Sequence, residues 1–431
     1  MFEDSLVKID NSPARGTRDL LPSAVAVRDH VLSTITDVYG RYGYQRIETP
    51  ALERIERLSG GEGGENEKMI FQVLRRGLPE RVEADTELAE LVDMGLRYDL
   101  TVPLARFYGQ HRGELPTPFR SFQFGPVWRA ERPQKGRYRQ FYQCDIDMVG
   151  EPGMLAEAEL IEATTQALNR VGLTGTTVRI SDRRFLSALA TEAGVPLEAQ
   201  DGFFITLDKL DKIGWDGVGS ELTKRGFGSE VVSAARDRIE ALGDVPGDKL
   251  AARLAEVLPS LPDVVLDDLA TTATCLTDIG AQNAVAWEFD PTLVRGMGYY
   301  TGHIFEVAAP DAAGSVAGGG RYDNLIGRSL GTDVPACGFS IGFERIVDLL
   351  SEPPTRDRLA VLYDADVPTS TVLATARELR GDSRSVAPVG RSGKFAAQLK
   401  RMEAAGFTSF VHLRADGDAG TLDERPLRGD D

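Results

Sequence analysis

The segment Trp128–Gly150 constrains the fold most strongly, because it has the pattern of two strands joined by a turn. Turn-forming residues at positions 133–136 separate two β-prone runs, Phe122–Trp128 and Tyr138–Val149. Side chains on a strand point alternately to its two faces. The second strand would therefore place three polar side chains on one face: Gln143, Asp145 and Asp147.

The same hairpin carries charge that a buried sheet face does not tolerate without a partner. Arg129 and Glu131 are predicted to point the same way from the first strand. Such a face is costly to bury unless it binds something charged. Basic residues outnumber the single acid in and around the loop: Arg129, Arg132, Lys135, Arg137 and Arg139. The pattern indicates a polyanion-binding loop, because the arginine fork suits phosphate oxygens. The alternative is an exposed, solvated hairpin.

Length and composition indicate a soluble globular chain with two or three domains. The chain has 431 residues, of which 42% are hydrophobic and 27% are charged. We find no apolar run of membrane-spanning length and no signal-peptide pattern at the N-terminus. Cys144, Cys275 and Cys337 are odd in number and far apart in sequence. They argue against a disulfide framework or a zinc site, and they favour a reducing cytoplasm.

The charge of the chain is unevenly distributed. Its formal net charge is −17, which argues against indiscriminate nucleic-acid binding. Residues 355–431 contain 12 basic and 12 acidic residues, so the excess negative charge lies in the first 354 residues. An anionic partner is therefore expected to meet local basic patches on an acidic body.

The N-terminal third is predicted to alternate helix and strand. The helix expected after Ser23 has apolar residues at helical spacing: Val27, Val31, Ile35, Val38 and Tyr42. Gly43–Pro50 reads as a strand. Ser59–Asn66 is glycine-rich and is interpreted as a mobile lid or a plain linker. Leu96–Pro103 is predicted to be a short strand with Asp99 and Thr101 on one face.

After the hairpin, a helix is expected over Leu155–Val171, and Ser181–Trp287 has the alanine- and leucine-rich texture of a helical insertion. Strand patterns return at Leu293–Val307 and Gly318–Asp323. Gly338–Leu350 reads as a strand that runs into a helix. We therefore expect a core over residues 1–350, with the helical insertion at roughly 183–287.

The C-terminal region is predicted to be a separate small α/β domain over residues 357–431, after a proline-containing linker at 351–356. Its strands and helices alternate, which is typical of a small parallel or mixed sheet. The expected elements are two strands and two helices: Leu359–Tyr363, Thr369–Leu379, Lys394–Ala405 and Ser409–Leu413.

Several of these segments resemble those of a known enzyme family. Arg129–Phe141 resembles motif 2 of class II aminoacyl-tRNA synthetases, and Arg295–Gly302 resembles a signature of the histidyl-tRNA synthetase family. Gly43–Pro50 is similar to motif 1 and Gly338–Arg345 to motif 3. Two further segments look like the eukaryote-like branch of that family: Gln143–Asp147 and Asp208–Trp215. The resemblance covers nearly the whole chain, in the family's order.

The resemblance implies an α+β fold with an antiparallel catalytic sheet, a helical insertion and a shortened anticodon-binding-like domain. It implies that L-histidine, ATP and tRNA(His) are the substrates and partners, with Mg²⁺ accompanying ATP. It further implies a cytoplasmic homodimer, formed partly through motif 1. No tightly bound cofactor, no metal site and no membrane partner are expected.

The resemblance also implies roles for individual residues. Arg129 and Arg295 would be catalytic and face the α-phosphate. The residues expected to bind histidine are Asp99, Thr101, Arg129, Gln143, Asp147, Arg295, Tyr299 and Tyr300. Asp99, Thr101 and Gln143 would receive the α-amino group. Asp147 and the two tyrosines would recognise the imidazole. The residues expected to bind ATP are Arg129, Glu131, Arg137 and Arg345. Those expected to bind tRNA are Arg132, Lys394 and Arg401.

Other interpretations of these motifs stay open. Tyr299 and Tyr300 could be ordinary strand packing, and Gly318–Gly320 could be a β-bulge. Gly298 stands where the family usually has Asp, so a supporting carboxylate would be missing there. At the level of function, the alternatives are a regulatory subunit of histidine biosynthesis and a histidine-activating ligase with a non-tRNA acceptor.

Overall fold

The structure is a computed structural model that describes residues 10–59, 67–78, 83, 85–133, 137–243, 245–294, 300–310, 312, 314–350, 357–380, 384–414 and 422–427. Several expectations fall outside these residues. They are most of the glycine-rich lid at 60–66, Lys135 in the hairpin turn, the signature residues 295–299 and the linker at 351–356.

The described residues form two compact units. The first contains Val31–Ser351 together with the N-terminal segment up to Asp19, and the second contains Leu20–His30 and Glu352–Asp431. In the first unit the strands are β1 Gln45–Arg46, β2 Leu52–Arg54, β3 Phe71–Leu74, β4 Val92–Leu96, β5 Phe119–Trp128, β6 Gln140–Val149, β7 Thr177–Asp182, β8 Ala286–Phe289, β9 His303–Ala308, β10 Ala317–Arg321 and β11 Ala336–Ile341.

Helices surround these strands in the sequence. They are α1 Pro22–Arg41, α2 Ile55–Ser59, α3 Leu88–Leu91, α4 Thr101–His111, α5 Leu155–Arg170, α6 Arg183–Glu192, α7 Gln200–Leu207, α8 Leu210–Lys224, α9 Ser229–Leu242, α10 Leu250–Val257, α11 Asp263–Asn283, α12 Asp323–Leu330 and α13 Phe343–Leu349. Short 3₁₀ turns lie at Glu67–Met69, Leu197–Ala199 and Gly247–Lys249.

The first unit is built on one large, mainly antiparallel sheet. Its strand order among the described residues is β1-β5-β6-β11-β10-β9-β7-β8. The outer pairs β1–β5 and β7–β8 are parallel, and the pairs between them are antiparallel. With helices on this sheet and a second α/β unit, the α+β class expected from the sequence is confirmed.

The predicted hairpin forms the second and third strands of this sheet, next to the short edge strand β1. Strands β5 and β6 pair along their whole length, from Phe119 opposite Val149 to Trp128 opposite Gln140. The side chains alternate as expected, because Cys144, Ile146 and Met148 are fully buried on the face opposite the polar residues. Strand β5 ends before Arg129, however, so strand alternation does not extend to Glu131 and does not give these two residues a common direction.

One strand expectation is wrong, and two others are longer than the strands found. Gly43–Pro50 contains only β1, and in the described part of Leu293–Val307 the strand begins at His303. Leu96–Pro103 is not a strand, because β4 ends at Leu96 and α4 begins at Thr101. The Asp99 carboxylate accepts a hydrogen bond from the backbone N–H of Val102, which satisfies one of the unpaired donors at the start of the helix. Pro103 is tolerated there because the first turn of a helix needs no N–H donor. Strand β4 instead joins β2 and β3 in a small antiparallel sheet.

The helix predicted after Ser23 is α1, and the helix predicted over Leu155–Val171 is α5. The expected apolar face of α5, including Leu160, Ile161 and Leu168, is fully buried. Between β7 and β8 the described chain is helical, from α6 to α11. These helices share a core with large fully buried side chains such as Phe185 and Phe203.

The second unit contains a four-stranded sheet. Its strands are β12 Arg358–Tyr363, β13 Ser385–Gly390, β14 Ser409–Leu413 and β15 Arg425–Pro426, and its helices are α14 Thr369–Arg380 and α15 Phe395–Ala404. Strand β12 is paired in parallel with both β13 and β14, and β15 is antiparallel to β14. The parallel sheet with intervening helices is the arrangement expected from the alternating pattern. Strands β13 and β15 were not expected.

Candidate active site

A cavity of about 500 Å³ lies over the central strands of the large sheet. It is lined by six of the residues that the sequence singles out for histidine binding: Asp99, Thr101, Arg129, Gln143, Asp147 and Tyr300. The hairpin, the start of α4 and the segment before β9 contribute these side chains, which are up to about 200 positions apart in the sequence. The fold thus brings them to one place.

The polar face of β6 forms the floor of the cavity. Gln143, Asp145 and Asp147 all line it, because alternate residues of a strand share a face. Asp147 is paired in register with Gly338 of β11, and Asp145 is paired with Ser340. A Cβ atom added at Gly338 would come within 2.1 Å of Asp147 Oδ1. The glycine therefore gives the Asp147 carboxylate its space.

Asp147 is held in a fixed position by a tyrosine. The Tyr322 hydroxyl donates a 2.6 Å hydrogen bond to Asp147 Oδ1, and the aspartate is only 3% exposed. Burial raises the pKa of Asp147 to about 7, against the opposing effect of the Tyr322 hydrogen bond. The Asp99 carboxylate raises this pKa further. Asp147 therefore titrates around neutral pH, and in its charged form it can accept a hydrogen bond from a donor in the cavity.

Asp145 is a second buried carboxylate in the same cavity. Its Oδ1 accepts a 2.5 Å hydrogen bond from the Ser340 hydroxyl. Burial, followed by the neighbouring Asp147 carboxylate, raises the pKa of Asp145 well above its ordinary value. The Gln143 amide nitrogen lies 3.3 Å from both Asp145 Oδ2 and the Ser340 hydroxyl. Three side chains from two strands thus form one polar network.

Asp99 and Thr101 enter the cavity from the turn before α4. Asp99 Oδ1 accepts the Val102 N–H at 3.1 Å, which fixes the carboxylate at the helix start. Burial raises the pKa of Asp99, while the Val102 hydrogen bond and the Arg129 guanidinium lower it. The turn therefore presents a third carboxylate to the cavity.

Arg129 supplies positive charge to the same space. Its Nε donates to the Tyr98 carbonyl oxygen at 3.1 Å, and its guanidinium lies 5.0 Å from the Phe141 ring centroid. Among the described residues, no carboxylate oxygen pairs with Arg129 within 4 Å. The backbone contact and the aromatic ring orient the guanidinium without neutralising it, so it can bind an anionic group of a ligand.

The other residues expected at the nucleotide end do not line this cavity. Glu131 pairs with Arg137 at 2.6 Å, beyond the end of β5. Arg345, in the first turn of α13, donates to the Ser315 carbonyl oxygen. Arg295 and Tyr299 lie outside the described residues.

Several polar residues of the cavity were not singled out from the sequence. Tyr322, Ser340 and Thr301 all line it. The glycine-rich strands were the available signal. Gly338 and Gly319 lie on paired strands, and a Cβ added at Gly319 would meet the Gly338 carbonyl oxygen at 2.0 Å. A β-bulge is thus not the explanation for Gly318–Gly320, since β10 pairs regularly with both of its neighbours.

The second unit contains a separate cavity of about 490 Å³. Arg391, Phe395, Arg414 and Arg425 line it, and the Arg391 guanidinium lies 5.1 Å from the Phe395 ring centroid. Cationic and aromatic side chains together suit phosphates and unstacked bases.

The expected tRNA-binding residues lie on exposed parts of the chain. Lys394 directly precedes α15, and Arg401 is near its end, with Nη2 3.4 Å from the Ser392 carbonyl oxygen. Both side chains are exposed, as is Arg132 beyond the hairpin. Gln398, at helical spacing between Lys394 and Arg401, is instead buried and donates to the Gly390 carbonyl oxygen at 2.7 Å.

The described residues contain no cluster of three or more His, Cys, Asp or Glu side chains that could hold a metal ion. Asp145 and Asp147 thus do not combine with a third ligand in this part of the chain. No helix in the described ranges is both long and apolar enough to cross a bilayer.

Comparison with known proteins identifies the family. A family model described as histidyl-tRNA synthetase matches residues 16–346, which is more than half of the chain. The chain belongs to the histidyl-tRNA synthetase family. A protein named histidine–tRNA ligase from Leifsonia xyli subsp. xyli is 47% identical to it, over 96% of this chain and 98% of the relative. A probable histidine–tRNA ligase from Tropheryma whipplei is 40% identical, over 93% of this chain and 95% of the relative.

Solved structures give the same result for this histidyl-tRNA synthetase family member. The histidyl-tRNA synthetase from Nostoc sp. PCC 7120 superposes with a TM-score of 0.78 at 27% identity, covering 97% of each chain. A Bacillus halodurans protein described as an ATP phosphoribosyltransferase regulatory subunit/histidyl-tRNA synthetase superposes with a TM-score of 0.77. It is 20% identical, over 95% of this chain and all of that one, and shows a shared fold alone.

Proposed function

We propose that the protein is a histidine–tRNA ligase, which activates L-histidine with ATP and transfers it to tRNA(His). The observation that carries this proposal is the charge arrangement of the central cavity. Asp99, Gln143 and Asp147 offer hydrogen-bond acceptors in it, and Arg129 offers a guanidinium that makes no ion pair within 4 Å among the described residues. Histidine has the matching groups: an ammonium and an imidazole N–H that donate, and a carboxylate that accepts.

In this arrangement Asp99, Thr101 and Gln143 bind the α-ammonium group of histidine. Asp147 accepts a hydrogen bond from the imidazole, which Tyr299 and Tyr300 would also recognise. A buried acceptor of this kind discriminates strongly, because it is left without a partner when a ligand lacks the donor. The geometry thereby favours histidine over amino acids of similar size with apolar side chains.

Activation needs two anions to approach each other. The histidine carboxylate oxygen attacks the α-phosphorus of ATP, a new C–O–P bond forms, and the bond to pyrophosphate breaks. Arg129 and Arg295 would hold the reacting groups, and Glu131, Arg137 and Arg345 would bind the rest of the nucleotide. Their contribution is positioning and preorganised positive charge. Mg²⁺ would enter with ATP and neutralise its outer phosphates.

The second step transfers the histidyl group to tRNA. A hydroxyl of the terminal ribose attacks the carbonyl carbon of the adenylate, and AMP leaves. We assign the core to residues 1–350, with the helical insertion at roughly 183–287, and an anticodon-binding-like domain to residues 357–431 after a linker at 351–356. The cavity lined by Arg391 and Phe395 supports an RNA contact in the second unit. Arg132, Lys394 and Arg401 would contact phosphates.

We further propose a cytoplasmic homodimer. Cys144, Cys275 and Cys337 are all unpaired, which fits a reducing compartment. The small sheet leaves two leucines on its outer strands exposed, Leu52 at 43% and Leu74 at 59%. Leu52 closely follows the motif 1 segment in the sequence, and Leu74 lies on another strand of the same small sheet. The exposure of both supports a partner subunit packed against this sheet. Light scattering on the purified protein measures the oligomeric state.

One pair of assays tests the main proposal. Pyrophosphate exchange is measured with each of the standard amino acids, and charging of total tRNA is then measured with the amino acid that supports exchange. We expect exchange with histidine alone, followed by charging of tRNA(His). Exchange without charging would favour a ligase with a non-tRNA acceptor. The lack of any histidine-dependent exchange would favour a regulatory subunit.

A further inference from the structure

Asp145 and Ser340 line the cavity beside the residues proposed to bind histidine. Asp145 is 4% exposed, lines the cavity and accepts the Ser340 hydroxyl at 2.5 Å. It belongs to β6, and Ser340 is its register partner on β11. Neither side chain is among the proposed substrate contacts.

Both residues are directed at the same neighbour, the carboxamide of Gln143. The Gln143 Nε2 atom lies 3.3 Å from Asp145 Oδ2 and 3.3 Å from Ser340 Oγ. An amide nitrogen carries two hydrogens, so these two acceptors use the whole donor capacity of the Gln143 side chain. The Gln143 Oε1 atom is buried and has no hydrogen-bond partner among the described residues.

This asymmetry matters for recognition, because a glutamine side chain can present either its oxygen or its NH₂ group. Only the oxygen accepts a hydrogen bond from an ammonium group. With the NH₂ group tied to Asp145 and Ser340, turning the carboxamide would place its oxygen against two acceptors. The cost of that mismatch keeps the oxygen available to a ligand.

We propose that Asp145 and Ser340 are positioning residues that orient the Gln143 carboxamide, so that its oxygen selects ligands with an α-ammonium group. The inference rests on the proposed histidine-binding function. In the proposed role, Asp145 acts through Gln143 and is not a direct counter-charge to the ligand.

The measurement that isolates this role is ammonium preference, the affinity for histidine divided by the affinity for 3-(imidazol-4-yl)propionate. The second ligand keeps the imidazole and the carboxylate but has no ammonium group. Calorimetry measures both affinities without requiring catalysis. We expect Asp145→Ala to reduce the ammonium preference at least tenfold, with less than a twofold change in affinity for the propionate and in the KM for ATP.

Asp145→Asn separates orientation from charge. Its amide oxygen can still accept from Gln143 Nε2, and its NH₂ group can donate to the Ser340 hydroxyl. We expect this variant to keep the ammonium preference within threefold of wild type. A loss as large as that in Asp145→Ala would mean that the charge itself binds the ammonium group, and it would overturn the proposal.

A double-mutant cycle tests whether the effect passes through Gln143. In a Gln143→Leu background, Asp145→Ala is expected to lower the ammonium preference by less than threefold further. A full additional tenfold loss would contradict the proposal. Should Asp145→Ala fail to fold, Ser340→Ala replaces it. This variant keeps the carboxylate but removes one acceptor from Gln143, and we expect at least a threefold loss of ammonium preference.

The two hypotheses fail in different ways. If wild type binds neither histidine nor the propionate, the proposed function and the inference both fall. If wild type activates histidine but Asp145→Ala weakens both ligands equally, the function stands and the positioning role is refuted.

Discussion

The Tyr322 hydroxyl donates a 2.6 Å hydrogen bond to the Asp147 carboxylate, across more than 170 positions of sequence. Tyr322 directly follows β10, while Asp147 is on β6, and β11 separates these strands in the sheet. The tyrosine therefore spans the strand that carries Gly338. The contact fixes one carboxylate oxygen, so the other is the one available to a ligand.

Tyr322→Phe should lower histidine affinity by about tenfold, equivalent to about 1.4 kcal/mol. The substitution removes a hydrogen bond that favours the charged form of Asp147, so it should also raise the pKa of that carboxyl. Calorimetry with histidine measures the loss. Tyr39→Phe is the matched control, because Tyr39 is fully buried, its hydroxyl contacts Thr164, and it does not line the cavity. Equal losses in both variants would show that Tyr322 has only a packing role.

Asp147→Asn should change how stability depends on pH. The folded-state pKa of Asp147 is about 7, above its ordinary value of 3.8, so the folded protein binds this proton more tightly than the unfolded chain. The stability that protonation provides is present below about pH 4 and is lost as pH rises through 7. The asparagine side chain of the variant does not titrate, so the variant does not undergo this loss of stability. We expect Asn to become more favourable than Asp by about 1–4 kcal/mol between pH 4 and pH 8.

Denaturant unfolding of wild type and Asp147→Asn at several pH values gives this difference. Histidine affinity, measured alongside, should fall in the variant, because the amide replaces the carboxylate that accepts the imidazole hydrogen bond. Stability at pH 8 should rise, because the variant no longer buries a charged carboxylate. A stability difference that does not vary between pH 4 and pH 8 would show that Asp147 titrates normally.

The polar face of β6 could be predicted because strand alternation is a local property. Gln143, Asp145 and Asp147 needed only the period of two. Tyr322 and Ser340 could not be found in this way, since the pattern of a strand does not reveal its partner strand or their register. The pairing of Asp145 with Ser340 joins residues 195 positions apart.

The turn at Asp99 shows a different limit. Leu96–Pro103 has strand-like composition, but Asp99 caps the first turn of α4 through the Val102 N–H. Aspartate competes for backbone donors, and this preference outweighed the apolar pattern. Asp99 and Thr101 both line the cavity, although they belong to a turn and a helix start and not to a strand. The small sheet of β2, β4 and β3 was missed because its strands are too short for a periodic signal.

Gly338→Ala should abolish histidine binding with little effect on ATP binding. The added Cβ would lie 2.1 Å from Asp147 Oδ1 and 3.1 Å from the Tyr322 ring, so both side chains must move. Gly40→Ala is the control, because nothing lies within 4 Å of a Cβ added there. It should be neutral or up to about 1 kcal/mol stabilising, as expected for glycine in a helix. Calorimetry with each ligand checks the first variant, and retained histidine affinity would mean that the strands shift easily.

Arg129→Lys should slow adenylate formation about a hundredfold or more, or roughly 3 kcal/mol. Lysine keeps the charge but loses the Nε bond to the Tyr98 carbonyl oxygen and the planar fork that binds phosphate oxygens. Rapid-quench measurement of histidyl-adenylate gives the rate of the chemical step. Arg120→Lys is the control, since Arg120 pairs with Glu159 and does not line the cavity. A rate within threefold of wild type would exclude Arg129 from the reacting centre.

Combined Lys394→Ala and Arg401→Ala should raise the KM for tRNA at least tenfold, or about 1.4 kcal/mol. Histidine-dependent pyrophosphate exchange should not change, because these residues belong to the second unit. Side chains that bind phosphates displace counterions from the RNA, so the variant should also show a weaker dependence of tRNA affinity on salt. The slope of log affinity against log salt concentration should fall by about one unit for each phosphate that the variant no longer binds. Arg377→Ala with Arg380→Ala removes the same charge from α14 and serves as the control. If both pairs raise the KM equally, the effect is one of overall charge, and an unchanged KM in the first pair would place the RNA on another surface.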